Sequence, residues 1–309
     1  MSDEFELIDS ITAHFAQHKG VLLGPGDDAA VLAVPDGRVA ASTDMLVENV
    51  HFRSAWTAPH DLGRRAAAQN FADIAAMGGV PTALLVAVGA PADTDQDWFD
   101  QLAAGFETEC ALVGASVIGG DLAKSDRIVI GVTVLGDLEG RAPITRAGAQ
   151  IGDVVAVAGR FGWSAAGLLA YERGIDVDPE VRAAYRVPTP PYAAGPAAAH
   201  AGATAMIDTS DGLVADAAHI ADASGVTIAL DATALAADQP VLAASQLLGI
   251  PVLELILGGG EDHALLATFP PDTPIPAAFR SIGRVEARGP ADVLVDGRPY
   301  EGSRGWTHF

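Results

Sequence analysis

The sequence predicts an α+β domain followed by an α/β domain, and three observations lead there. The chain has 309 residues, half of them apolar, enough to bury two ordinary cores. Short apolar runs outnumber helical stretches in the first half, whereas strand and helix patterns alternate in the second. Between the halves lies Asp137–Gly152, punctuated by Gly140, Pro143 and Gly148, which reads as a linker. The expected domains are 1–138 and 139–309.

In the first half, Asp9–His18 reads as a short helix. Val21–Leu23, Ala30–Val34 and Arg38–Ser42 read as strands, split by Gly24-Pro25-Gly26 and Pro35-Asp36-Gly37. A helix is expected over Asp61–Met77, with Leu62, Ala66, Asp73 and Met77 on one stripe and Gly78-Gly79 and Pro81 as its stop. Thr82–Val88 reads as a buried strand, Asp95–Val113 as an amphipathic helix, and Ser116–Ile118 and Ile128–Leu135 as strands. In the second half the expected strands are Val154–Ala158, Ala203–Ile207 and Val226–Leu230, with short ones near Ile282 and Val293. Helices are expected at Ser164–Glu172, after the break Val187–Pro191, and at Asp211–Ser224. Leu253–Leu257 and Ala264–Phe269 flank a glycine run.

The charge narrows the function. Forty acidic against 18 basic side chains give a net charge of −22, which repels nucleic-acid backbones and anionic membrane surfaces. Cys110 is the sole cysteine, so an intrachain disulfide or a cysteine-rich zinc site is excluded. The start, Met1-Ser2-Asp3-Glu4-Phe5-Glu6, is acidic and unlike a signal peptide, and no apolar stretch reaches membrane length, so a cytoplasmic location is expected.

Gly24-Pro25-Gly26-Asp27-Asp28-Ala29 satisfies a dinucleotide fingerprint, but a strand-like run and a turn follow it where the fingerprint needs a helix. Neither lysine, Lys19 or Lys124, completes a P-loop. What remains is a series of aspartates, most of them beside glycines or hydroxyls: Asp27-Asp28, Asp44 in Ser42-Thr43-Asp44, Asp73 in Asn70-Phe71-Ala72-Asp73, Asp121 in Gly119-Gly120-Asp121, and Asp208 and Asp211 around Thr209-Ser210. Each alone suits a turn or helix cap. Together they offer oxygen ligands for Mg²⁺, which joins a few carboxylates to substrate phosphates. Asp73 stands out, because an acid on a core-facing stripe needs a partner. Ser42, Thr43 and Asp44 alternate along a strand, and a turn at its end would bring all three oxygens round.

These runs resemble the thiamine-monophosphate kinase family, of the aminoimidazole-ribotide synthetase-like superfamily of ATP-dependent enzymes. The resemblance rests on Gly24–Ala30, Ser42–Val47, His51-Phe52, Asn70–Gly78, Gly119–Asp121, Thr145–Ala149, Met206–Gly212, Gly259–Asp262 and Trp306-Thr307-His308-Phe309, in collinear order from about Glu4 to the end. It implies an N-terminal α+β domain that dimerises through its sheet and a C-terminal α/β domain completing the active site. The activity implied is phosphorylation of thiamine monophosphate by ATP, with several Mg²⁺ ions and a homodimeric enzyme. Asp28, Ser42, Thr43, Asp44, Asp73, Asp121, Asp208 and Asp211 fall on the family's Mg²⁺ positions, with Asp44, Asp73, Asp121 and Asp208 expected to be catalytic. Gly120, Asp121, Arg146 and Ser210 fall on ATP-contacting positions, and His51, Glu261 and Trp306 on positions facing thiamine phosphate.

The chain departs from the family pattern twice. Leu122-Ala123-Lys124 replaces two threonines and an arginine, and Glu261-Asp262-His263-Ala264 replaces Glu-Asp-Tyr-Glu. Among relatives, a selenophosphate synthetase would need a reactive residue near the start, yet no cysteine precedes Cys110. Other enzymes of the superfamily, or a nucleotide-binding regulator without turnover, are the alternatives.

Overall fold

The computed structural model describes residues 4–25, 29–302 and 305. The chain divides into two compact units, residues 1–74 with 79–140, and residues 75–78 with 141–309.

The first unit runs α1 (Glu4–Thr12), β1 (Val21–Leu23), β2 (Val31–Leu32), β3 (Ala40–Val47), α2 (Pro59–Ala76), β4 (Val80–Ala90), α3 (Gln96–Val113), β5 (Ser116–Lys124) and β6 (Val129–Asp137). Helix α1 lies earlier than the expected Asp9–His18, because residues 13–18 leave the helix after Thr12. The pair β1–β2 stands apart from a four-stranded sheet ordered β3-β6-β4-β5. In that sheet β6 is antiparallel to both β3 and β4, and β5 is parallel to β4.

Alternation gives this sheet two unlike faces. Leu46, Leu84, Val88, Ile130, Val132 and Val134 are buried, whereas Met45 and Leu85, facing the other way, are 57% and 39% exposed. Helix α2 covers the buried face, its Ile74 packing against Gly136 of β6. Helix α3 is closed at both ends. The Asp95 carboxylate accepts from the Trp98 N–H at 2.9 Å, and Gly114, at φ 74°, turns the chain out. Helices α2 and α3 approach closely where Gly105 meets the His60 carbonyl, a contact with no space for a side chain.

The second unit runs β7 (Val154–Ala158), α4 (Trp163–Arg173), α5 (Pro179–Arg186), α6 (Ala194–His200), β8 (Ala205–Thr209), α7 (Leu213–Ser224), β9 (Val226–Leu230), α8 (Gln239–Leu248), α9 (Val252–Gly258), β10 (Ala264–Phe269), β11 (Phe279–Ala287), β12 (Val293–Val295) and β13 (Arg298–Pro299). The sheet order is β13-β12-β9-β11-β7-β10-β8. Its pairings are antiparallel except β12 with β9, so the strand–helix alternation in sequence builds a mixed sheet.

Both faces of this sheet are covered, which is why its central strands read as continuous apolar runs. Val155, Val157, Ile207 and Leu266 pack against Leu213, Ala217 and Ile220 of α7 and Ile256 and Leu257 of α9. Their neighbours Ala156, Ala158, Met206 and Leu265 point the other way, into a core with Ala194 and Ala198 of α6 and with Ala75 and Ala76. A further apolar layer joins α4, α5, α8 and α9 through Trp163, Val181, Val241 and Leu255. Among the described residues, no single helix is long and apolar enough to cross a membrane.

Candidate active site

Among the described candidate acids of the first unit, Asp44, Asp73 and Asp121 sit within regular elements, not in turns. Strand β3 continues through Asp44 to Val47, so the turn expected to gather Ser42, Thr43 and Asp44 is absent. Ser42 and Asp44 lie on the face that α2 covers, with buried Leu46. The Thr43 side chain lies on the open face, donating to the Val132 carbonyl at 2.9 Å and accepting from Thr133 at 3.2 Å. The Gly119-Gly120-Asp121 segment is likewise part of a strand, since β5 runs on to Lys124. Asp44 shares a cross-strand row with Val132, Val86 and Gly120, and Asp121 shares the next row with Ala87, Gly131 and Met45. Adjacent rows face opposite ways, so the sheet brings Ser42 and Asp44 together and places Thr43 and Asp121 on the other side.

Asp73 occupies the position on α2 that its sequence marked. From Arg65 to Ala76 it is the one residue that is not buried, flanked by Ala72 and Ile74 at 0% and 1% exposure. Beyond β3, the Val47 N–H donates to Nδ1 of half-buried His51 at 3.0 Å. With Nδ1 accepting, the neutral ring carries its proton on Nε2. Fully buried Phe52 fixes the backbone beside it. Asp27, Asp28 and Trp306 lie outside the described residues.

In the second unit, Asp208 is the last residue but one of the buried strand β8 and is itself 7% exposed. The chain then turns through Ser210, Asp211 and Gly212, at φ 132°, into α7. Asp216, in the first turn of α7, accepts from the backbone N–H groups of Asp211 at 3.1 Å and Gly212 at 3.0 Å. Burial pushes its carboxyl up to about 7, the charges of Asp208 and Asp211 push the same way, and the two N–H bonds oppose them. Ligand atoms of Asp211, Asp216 and exposed His219 lie within 4.8 Å of one another.

The loop carrying Glu261 is tied to the same strand end. Glu261 and His263 donate their N–H groups to the carbonyls of Ser210, at 2.7 Å, and Thr209, at 3.0 Å. The Asp262 carboxylate turns the other way and accepts from Gly162 and Ser164 at the start of α4. Burial raises its pKa to about 7 against those bonds, which mark it as a helix cap. Exposed Arg146 sits in a loop pinned on two sides. Its own carbonyl accepts from the Ser224 hydroxyl at 2.9 Å, and the neighbouring Thr145 carbonyl accepts from the Met206 N–H at 3.1 Å.

This donor set suits a hard cation. Asp208, Asp211 and Asp216 meet at one strand end, where burial first and the neighbouring charges second raise the proton affinity of Asp216, and a divalent ion would relieve the repulsion. Asp216 and His219 escaped the reading of the sequence. Asp216 sits five residues after Asp211, inside a helix whose acidic first turn looks like an ordinary cap.

The comparisons define the class first. The family model described as AIR synthase related protein, N-terminal domain, matches residues 26–138. Thiamine-monophosphate kinase of Mycobacterium tuberculosis is 51% identical over 99% of this chain and 91% of its own length. The crystal structure of thiamine-monophosphate kinase from Stenotrophomonas maltophilia superposes with a TM-score of 0.83 at 30% identity, covering 96% of this chain and 98% of that one. A structure of AaThiL complexed with AMPPCP and TMP superposes at 0.82 with 33% identity, over 99% and 97%. The chain belongs to the thiamine-monophosphate kinase family.

Proposed function

We propose that the protein transfers the γ-phosphoryl group of ATP to thiamine monophosphate, giving thiamine diphosphate. The observation that carries this reading is likeness along the whole chain to thiamine-monophosphate kinases, one of which is solved with AMPPCP and TMP. The acceptor is a phosphate oxygen, already ionised at neutral pH, so no strong general base is required. The difficulty is bringing two anions together.

We assign that task to several Mg²⁺ ions, with Ser42, Asp44, Asp73, Asp208 and Asp211 among their ligands and Asp28 as a further one, and with Thr43 and Asp121, on the opposite face of the first unit's sheet, serving a separate ion. When bound, the ions neutralise phosphate charge and align the in-line displacement. Arg146 presents a guanidinium fork suited to phosphate, and Gly120 and Ser210 are its companions at ATP. His51 offers Nε2–H to the acceptor phosphate because its other nitrogen is engaged by Val47. Glu261 and Trp306 complete the acceptor side, Trp306 offering a π-face to a cationic thiazolium.

A homodimer forms through the open face of the first unit's sheet, where Met45 and Leu85 leave apolar surface exposed. We place the enzyme in the cytoplasm, where ATP is supplied. The test is turnover of thiamine monophosphate with ATP and Mg²⁺, stopped by a chelator and restored by Mg²⁺ or Mn²⁺. Full turnover in metal-free buffer would sink the metal assignment.

A further inference from the structure

His263 stands where the family pattern has tyrosine, and the structure gives this histidine a specific partner. Its Nδ1 lies 3.0 Å from Oδ2 of Asp208, with the side chains 6% and 9% exposed. An ionised carboxylate only accepts, so Nδ1 carries the hydrogen in either charge state of the ring. Nε2 faces the Glu261 carboxylate at 4.0 Å.

The backbone makes the contact more telling. His263 adopts φ 50° and Glu261 φ 68°, a left-handed region that side-chain-bearing residues enter at a cost. Such conformations persist where the surroundings over-determine them, and they gather at functional sites. Here the fixing bonds are the N–H groups of these same two residues, given to Ser210 and Thr209. The strained loop is therefore fastened to the strand end that bears Asp208, and its histidine is delivered onto that carboxylate.

We propose that His263 is a positioning residue: by holding Oδ2 of Asp208 it fixes the carboxylate plane, so that the remaining lone pairs are presented to Mg²⁺. The proposal rests on the reading of Asp208 as a metal ligand. Hydrogen-bonded partners of ligands in metal sites carry about 10- to 100-fold in affinity.

The test uses Mn²⁺ binding to the full-length, nucleotide-free protein by electron paramagnetic resonance, with circular dichroism to check folding. Asp208→Asn serves as the reference, and the affinity it removes is the quantity followed. In His263→Asn the amide nitrogen takes the place of Nδ1, whereas in His263→Gln it takes the place of Nε2. His263→Asn should keep Mn²⁺ affinity within about threefold of the parent, and His263→Gln should lose about tenfold or more. Equal affinity in the two folded variants, whether both kept or both weakened, would overturn the positioning role. Parent-like binding by Asp208→Asn would instead remove Asp208 from the ligand set and the proposal with it.

Discussion

At the residue scale, Asp44 carries the sharpest expectation. It sits inside β3 on the helix-covered face, so Asp44→Asn keeps its size and its strand. The variant loses charge where phosphate charge must be neutralised in the transition state. We expect kcat to fall by at least about a hundredfold, in line with removing one electrostatic stabiliser. ATP binding should change less, and circular dichroism should match the parent. A folded variant with near-parent kcat at saturating Mg²⁺ would make Asp44 a strand residue only. The candidate acids were legible because they lie in short runs that follow one another in the order of the family pattern. Their facing was not. Alternation along β3 already sets Thr43 opposite Ser42 and Asp44, but the side taken by Asp121 comes from strand register, which no local pattern carries.

The same limit operates at the element scale. Ser42-Thr43-Asp44 and Gly119-Gly120-Asp121 look like strand ends because their residues favour turns, yet β3 and β5 run through both. Pairing of β3 with β6 and of β5 with β4 overrides the local preference. Gly120 is what lets β5 do this. A Cβ there would overlap the Val86 carbonyl, whereas one on Gly119 would meet only the Leu85 side chain at 3.3 Å. Gly120→Ala should therefore cost about 1–3 kcal/mol by overpacking, while Gly119→Ala stays close to the parent. Thermal melts of the two variants side by side check this, and equal midpoints would mean that β5 yields freely. Helix α5 and helix α8 went unread for a different reason. Both are short, and α8 starts at Gln239-Pro240 where proline suggests a break, although proline is well suited to a first helical turn.

For the whole molecule, composition and strand counts gave the class but not the topology. The second unit's mixed sheet arises because β10 and β11 enter on either side of β7, a choice invisible in the alternation of elements. The surface does make a prediction. A chain of net charge −22 repels its copies, so self-association needs an apolar patch to offset that repulsion. Met45 and Leu85 supply one on the first unit's open face. The parent should run as a dimer in light scattering at micromolar concentration, and Met45→Glu with Leu85→Glu should run as a monomer. A monomeric parent would refute the assembly.

Strand β8 lies at the edge of its sheet, and the Met206 N–H is satisfied by the Thr145 carbonyl, next to Arg146. That arrangement makes one amide a reporter. Hydrogen exchange at Met206 needs the Thr145 loop to lift, a local opening that costs less than unfolding the sheet. The central strand β7, paired on both sides, can exchange only through a larger opening. If Arg146 grips a nucleotide phosphate, an ATP analogue should slow deuterium uptake at Met206 while leaving Ala156 unchanged. The protection gained there would measure, in free energy, how firmly the bound nucleotide closes that loop.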